Sequence, residues 1–192
     1  VMSLERVGDT LVGGVPSRLT VSDRAETLGS FSSDGRSVYF SSDRSPAIFS
    51  GQRMFEVAVK ENAEGPSGRG GVVTPLTEAF GLLPRAASGG NNATGDRVVF
   101  TRNRPSLERP KYRGSGNQDV YTLDRARGTF ERLTSNPAND ADGFLLPDVS
   151  TVFISSRDGQ NNLWRLGPGA KDGDARQLTR FAPTREQYTI GH

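Results

Sequence analysis

One short phrase is written three times in this chain. Residues 147–166 read PDVSTVFISSRDGQNNLWRL: a turn, a β-branched and aromatic run, a polar turn, then a second apolar run. SSDGRSVYFSSDRSP at 32–46 leads in the same way to MFEVAVK at 54–60, and NATGDRVVFTRNRP at 92–105 leads to DVYTLD at 119–124. Self-similarity at a period of tens of residues means that one supersecondary unit is being stacked, so the repeat constrains the fold more than any single motif.

Each copy carries the same anchors. The first is a tight turn, at Ser33-Asp34-Gly35, Thr94-Gly95-Asp96 and Pro147-Asp148. Asp bonds locally to backbone amides, and Gly accepts positive φ. Next comes a strand: Val38-Tyr39-Phe40, Val98-Val99-Phe100 and Val152-Phe153-Ile154. Three strong β-formers in a row predict burial on both faces of a sheet. A third strand alternates, as in Val120-Tyr121-Thr122-Leu123 and Leu163-Trp164-Arg165-Leu166. A Leu-Thr pair closes each unit, with threonines at 20, 77, 134 and 179. About four short strands per unit of this length is the design of a propeller blade. A parallel solenoid would repeat over fewer residues, and an immunoglobulin-like sandwich has no reason to repeat its turn and strand signatures. With 23 Gly, 11 Pro and 33% hydrophobic residues, the chain suits many short strands joined by turns.

The segments SSDGRSVYFSSDR, LTSNPANDADGFLLPD and VFISSRDGQNNLWRL resemble the WD40-like (PD40) repeats of TolB-type β-propellers. The resemblance runs from Val1 to His192 and is strongest over 133–166. Over 78–118 it is weaker, because Ala93-Thr94-Gly95-Asp96 replaces the usual Ser-Pro-Asp-Gly turn. Similar repeats form the propellers of tricorn-type and prolyl-oligopeptidase-type peptidases and occur in cell-envelope lipoproteins, so the resemblance implies a fold before a function.

The expected fold is therefore all-β, built from propeller blades of four antiparallel strands. Whole blades are predicted over 21–77, 78–134 and 135–179. Residues 1–20 read as the end of a partial blade, since Val1-Met2-Ser3-Leu4-Glu5 aligns with the third strand at Val120-Tyr121-Thr122-Leu123-Asp124. Residues 180–192 read as the first strand of another. Three whole blades do not close a ring, and open ends expose strand edges and apolar surface. The chain is then an open segment of a longer protein, lacks residues of its own ring, or completes a ring by assembly. In the last case a homo-oligomer forms through composite blades.

Chemistry is sparse. The only histidine is His192, the last residue, and a Ser-His-Asp arrangement needs one held between two partners. No G-x-S-x-G elbow occurs. The chain is expected not to be an enzyme. No cysteine is present, so disulfides and thiolate metal sites are excluded. Asn139-Asp140-Ala141-Asp142-Gly143 looks calcium-like, but an EF-hand register places Ala138 first and Val149 last, where Glu is required. These carboxylates are expected to line the central channel or cap loops, and no metal or cofactor is expected. Gly65-Pro66-Ser67-Gly68-Arg69-Gly70-Gly71 lacks the ending of a phosphate loop and reads as an inter-strand loop. Asn92-Ala93-Thr94 forms a sequon without further support. Trp164 reads as an inter-blade core residue.

A net charge of +2, with 24 basic and 22 acidic residues, is too even for a nucleic-acid binder. No apolar run is long enough to insert in a membrane. One basic segment stands out between the second and third strands of the second blade. Arg102, Arg104, Arg109, Lys111, Tyr112 and Arg113 make it a candidate docking loop for a protein partner. The TolB-type resemblance implies a non-catalytic protein-interaction scaffold of the bacterial cell envelope, periplasmic or extracellular, although no signal peptide opens this chain. The alternative is the propeller portion of a tricorn-type or prolyl-oligopeptidase-type peptidase, gating a catalytic domain outside the chain.

Overall fold

A computed structural model describes residues 4–44, 51–59, 72–77, 88–103, 111–114 and 116–181. They form one two-stranded and three four-stranded antiparallel sheets. The first hairpin pairs β1 (Leu4–Val7) with β2 (Thr10–Gly13). Sheet one is β3 (Glu26–Phe31), β4 (Ser37–Ser42), β5 (Arg53–Ala58) and β6 (Val73–Pro75). Sheet two is β7 (Ser88–Thr94), β8 (Arg97–Arg102), β9 (Asp119–Asp124) and β10 (Thr129–Arg132). Sheet three is β11 (Asp140–Leu145), β12 (Thr151–Ser155), β13 (Asn162–Leu166) and β14 (Arg176–Gln177). In each four-stranded sheet every strand pairs with its neighbours in the chain, so each is an up-and-down meander. The single helical piece among the described residues is a 3-10 turn at Asp172–Asp174. This is the all-β blade architecture expected from the repeats.

The triple apolar runs have a simple cause. Alternate residues of a strand face opposite sides of its sheet, and sheet two has a neighbour on each side. Val98 and Phe100, with Tyr121 and Leu123, join Tyr39 and Met54 of sheet one in one core. Val99 and Val120 face the other way and join Leu145, Phe153 and Leu166 of sheet three. Trp164 packs against that second core, as expected. Sheet three behaves differently from the prediction of two buried faces. Phe153 is buried, but Val152 and Ile154 are only half-buried. Their face carries Leu163, 37% exposed, and no described strand covers it.

The hairpin β1–β2 turns at Gly8, whose φ is +63°. Its first strand runs on to Val7, past the end expected from the alignment with 120–124. Residues 182–192, including the predicted first strand of a further blade and His192, lie outside the described residues, as do Gly65–Gly71.

The first strand of each sheet is irregular at a glycine-containing step: between Leu28 and Ser30, between Ser88 and Asn92, and between Ala141 and Phe144. At the third, a Cβ added to Gly143 would lie 2.7 Å from Val120 Cγ1 and 2.8 Å from Val99 Cγ2. Glycine there lets β11 press against β8 and β9, so the bulge sets the distance between the sheets.

The Leu-Thr pair also acquires a reason. The hydroxyls of Thr77, Thr134 and Thr179 accept the backbone N–H of Met54 (3.0 Å), Val120 (2.9 Å) and Leu163 (2.9 Å). Each threonine thus satisfies a third-strand amide beside the last strand of its own sheet, a group that would be costly to bury unpaired.

Candidate interaction face

The turns that join second to third strands lie at one end of all three sheets. The same end holds the starts of β3 and β11 and the Leu-Thr pairs. It is unusually polar for a buried region. Ser41, Ser42, Thr77, Gln118, Asp119, Asn139, Asp140 and Ser156 are all buried there.

An arginine four residues beyond the second-strand aromatic organises the end in two sheets. Arg157 lies over the rings of Phe153 (5.3 Å) and Trp164 (5.0 Å). The same guanidinium bonds Asp140 at 3.0 Å and Asp172 at 2.8 Å. Arg44 repeats the arrangement over Phe40 and Phe55, with Glu26 as its ion-pair partner. Glu26 and Asp140 are the first residues of β3 and β11. A carboxylate opening the first strand is thereby tied to the second turn of its own sheet, and the aromatic faces stabilise the cation.

Of the two places expected for these carboxylates, an open channel or a loop cap, the fully buried Asp140 does not take the channel and is bonded by Arg157 of the adjacent turn. Burial pushes its carboxyl up to about 6, because the Ser155 hydroxyl and Arg157 do not offset the loss of water. Asp119 is also raised by burial despite its 2.8 Å bond from Arg132. Asp142 is half-buried with φ +51° and is raised by burial alone. Among the described residues no cluster of three or more Asp, Glu, His or Cys is arranged to hold a metal.

The basic loop divides into parts with different roles. Arg104 and Arg109 lie outside the described residues. Arg102 ends β8 opposite Asp119, half-buried, and its charge acts on that carboxylate. Arg113 is exposed, and it donates to Tyr112 O (2.9 Å) and to Ser156 O in the corresponding turn of sheet three (3.4 Å). The Tyr112 hydroxyl accepts the Gly116 N–H at 3.2 Å, and the ring lies where a Cβ on Gly114 would be, 2.6 Å from the hydroxyl. Asn103 closes the base of the loop by donating to Asn117 O at 2.6 Å. Asn117 in turn donates to Asn136 O (3.2 Å) and Ala138 O (3.3 Å). Lys111 is exposed. The structure thus brings Tyr112 and Arg113 together as anchors, with Lys111 and Arg113 both exposed. The Arg157–Asp140–Asp172 cluster was not singled out from the sequence. Its signal is the spacing Phe40/Arg44, Phe100/Arg104, Phe153/Arg157.

No protein-family profile matches the chain. A search of curated proteins finds no match either. Solved structures do match. One described as a TolB of Agrobacterium tumefaciens superposes with a TM-score of 0.58 at 19% identity, over 79% of this chain and 45% of that one. TolB of Acinetobacter baumannii superposes with a TM-score of 0.54 at 18% identity, over 88% of this chain and 35% of that one. The sheets are therefore β-propeller blades with a TolB-like fold. The chain spans under half the length of either TolB structure. No helix among the described residues is long and apolar enough to cross a membrane.

Proposed function

We propose that this chain is part of a non-catalytic β-propeller scaffold that binds a protein partner through the end of the blades carrying residues 102–113. The observation that supports this most is the division of labour in that loop. Tyr112, Arg113, Asn103 and Asn117 hold its described residues against the sheets, while Lys111 stays free for contact. A rigid platform with outward cations suits an acidic protein surface and loses little entropy on binding. The charged groups of the buried end are spent on internal pairs such as Asp140–Arg157–Asp172, which speaks for a structural role over acid–base work. The TolB-like fold supports a place in the bacterial cell envelope. The exposed β1–β2 hairpin and the outer face of sheet three are the surfaces through which composite blades with a second copy would form.

The test is capture of partners from a cell-envelope extract, comparing the native chain with a variant carrying Arg109→Glu and Lys111→Glu. Neither position is one of the anchors Asn103, Tyr112, Arg113 and Asn117, so the fold is expected to survive while capture drops, and capture by the native form is expected to be salt-sensitive. Equal capture by both proteins would remove the loop from the interface. Peptide hydrolysis by the full-length protein, abolished by a serine-directed reagent, would replace the scaffold with the peptidase-gate reading.

A further inference from the structure

The turn joining the first two strands needs positive φ in every sheet. Gly35 has +70° and Gly95 +58°, whereas sheet three places Val149 there at +65°. Glycine takes this conformation freely, but a β-branched residue is an outlier in it, and such outliers persist where the surroundings enforce them. The Val149 N–H donates to Leu146 O at 2.8 Å, and Leu146 N–H donates to Ser150 O at 2.8 Å, so the turn is locked.

Val149 lines a cleft of about 490 Å³ between sheets two and three. Its apolar wall is Leu133, Leu145, Val149, Leu166 and Ala170. Four polar side chains also line it: Arg97, Thr122, Glu131 and Thr151. Strand register places Val99, Thr122 and Glu131 side by side on one face of sheet two, the face turned to sheet three. Thr122 and Thr151, 4% and 3% exposed, set their hydroxyl-bearing side chains in the cleft wall. Arg97 and Glu131 have no ion pair among the described residues. An apolar wall set beside a few polar side chains in a roomy cleft is the usual make-up of a small-ligand site.

We propose that this cleft binds a short zwitterionic peptide with apolar side chains, its carboxylate at Arg97 and its ammonium at Glu131. The planar guanidinium matches a carboxylate in two parallel bonds. A carboxylate accepts the three donors of an ammonium, and the threonine hydroxyls both donate to and accept from a peptide group. The apolar wall takes the side chains, and the volume falls in the usual range of small-ligand sites. A purely apolar guest would leave both charges unmatched, and a sugar would find no aromatic ring among the lining residues. The cleft lies at the opposite end of β8 from residues 102–113, so it stands independently of the scaffold reading.

Trp164, the single tryptophan, packs against the same apolar cluster and reports on the cleft by its fluorescence. The probe is leucyl-leucine, compared with N-acetyl-leucyl-leucinamide, which lacks both charges; calorimetry repeats each titration so that a silent indole does not mislead. The expected result is saturable binding with half-saturation below about 1 mM, at least about tenfold weaker for the blocked peptide. Arg97→Gln and Glu131→Gln are each expected to weaken binding about tenfold with little change in unfolding temperature. Val149→Gly keeps the turn and removes the wall, so it should fold and bind more weakly. No saturable heat or fluorescence change in the folded native chain would overturn the proposal. Equal binding of the two peptides, or charge variants that bind like the native chain, would overturn it as well.

Discussion

At Asp140 a single side chain links fold to pH. Its carboxyl is held at about 6 in the folded chain, against an ordinary value of 3.8. A raised value means that the folded state keeps a proton which the unfolded chain gives up on passing pH 4. That contribution to stability is complete below pH 4 and is lost as pH rises through 6. The loss is on the order of 2–3 kcal/mol for this one buried group. Asp119 and Asp142 are shifted in the same direction and add to it. Asp34 and Asp148 are lowered by hydrogen bonds from Ser32 and Ser150, but both are exposed and solvent weakens their opposing effect. Urea midpoints should therefore be higher at pH 5 than at pH 7.5, and Asp140→Asn should flatten the difference. Midpoints that rise with pH over this interval would contradict the assignment. The sequence marked Asp140 only as a polar residue before a strand, because its burial depends on Arg157 closing over it from seventeen positions away.

At Gly143, β11 lies close against sheet two. Gly143 has no room for a methyl group, and the atoms it would strike are core methyls of Val99 and Val120, themselves buried. Gly143→Ala should cost about 1–3 kcal/mol through overpacking. Val99→Ala in that background should recover part of it, since it removes one of the two obstructing methyls, and thermal unfolding of the single and double variants measures both effects. A Gly143→Ala variant as stable as the native chain would mean that the sheets separate more readily than their contacts suggest. The glycine was legible in DADGFLLPD as part of a repeat, but its purpose was not, because the close approach lies between strands more than twenty residues apart. The Leu-Thr pairs teach the same lesson. Their spacing showed the repeat, yet the bond from threonine to a third-strand amide exists only once the sheet has formed.

Across the whole molecule the sheets are joined by apolar cores and by a few polar bridges. Arg125, in the turn after β9, donates to the Tyr39 hydroxyl (3.0 Å) and to Glu56 (2.6 Å) in sheet one. Both charged side chains are partly exposed, so the pair is worth little in isolation, and its value comes from spanning two sheets. A double-mutant cycle of Arg125→Ala and Glu56→Gln should give a coupling of about 0.5–1 kcal/mol, read from urea unfolding. A coupling near zero would leave the apolar cores as the sole cement. Local sequence by itself determined the strands, their turns and the four-strand unit, because alternation, β-branching and Asp-Gly chemistry act over a few residues. The TolB-like propeller blade was legible for that reason. Which face of a strand feeds which core, why Gly143 stands where it does, which residues of the 102–113 loop anchor and which reach outward, and how Val149 comes to line a cleft were decided by tertiary structure alone. Each depends on groups far apart in the chain, and their distance is set only when one sheet packs against the next.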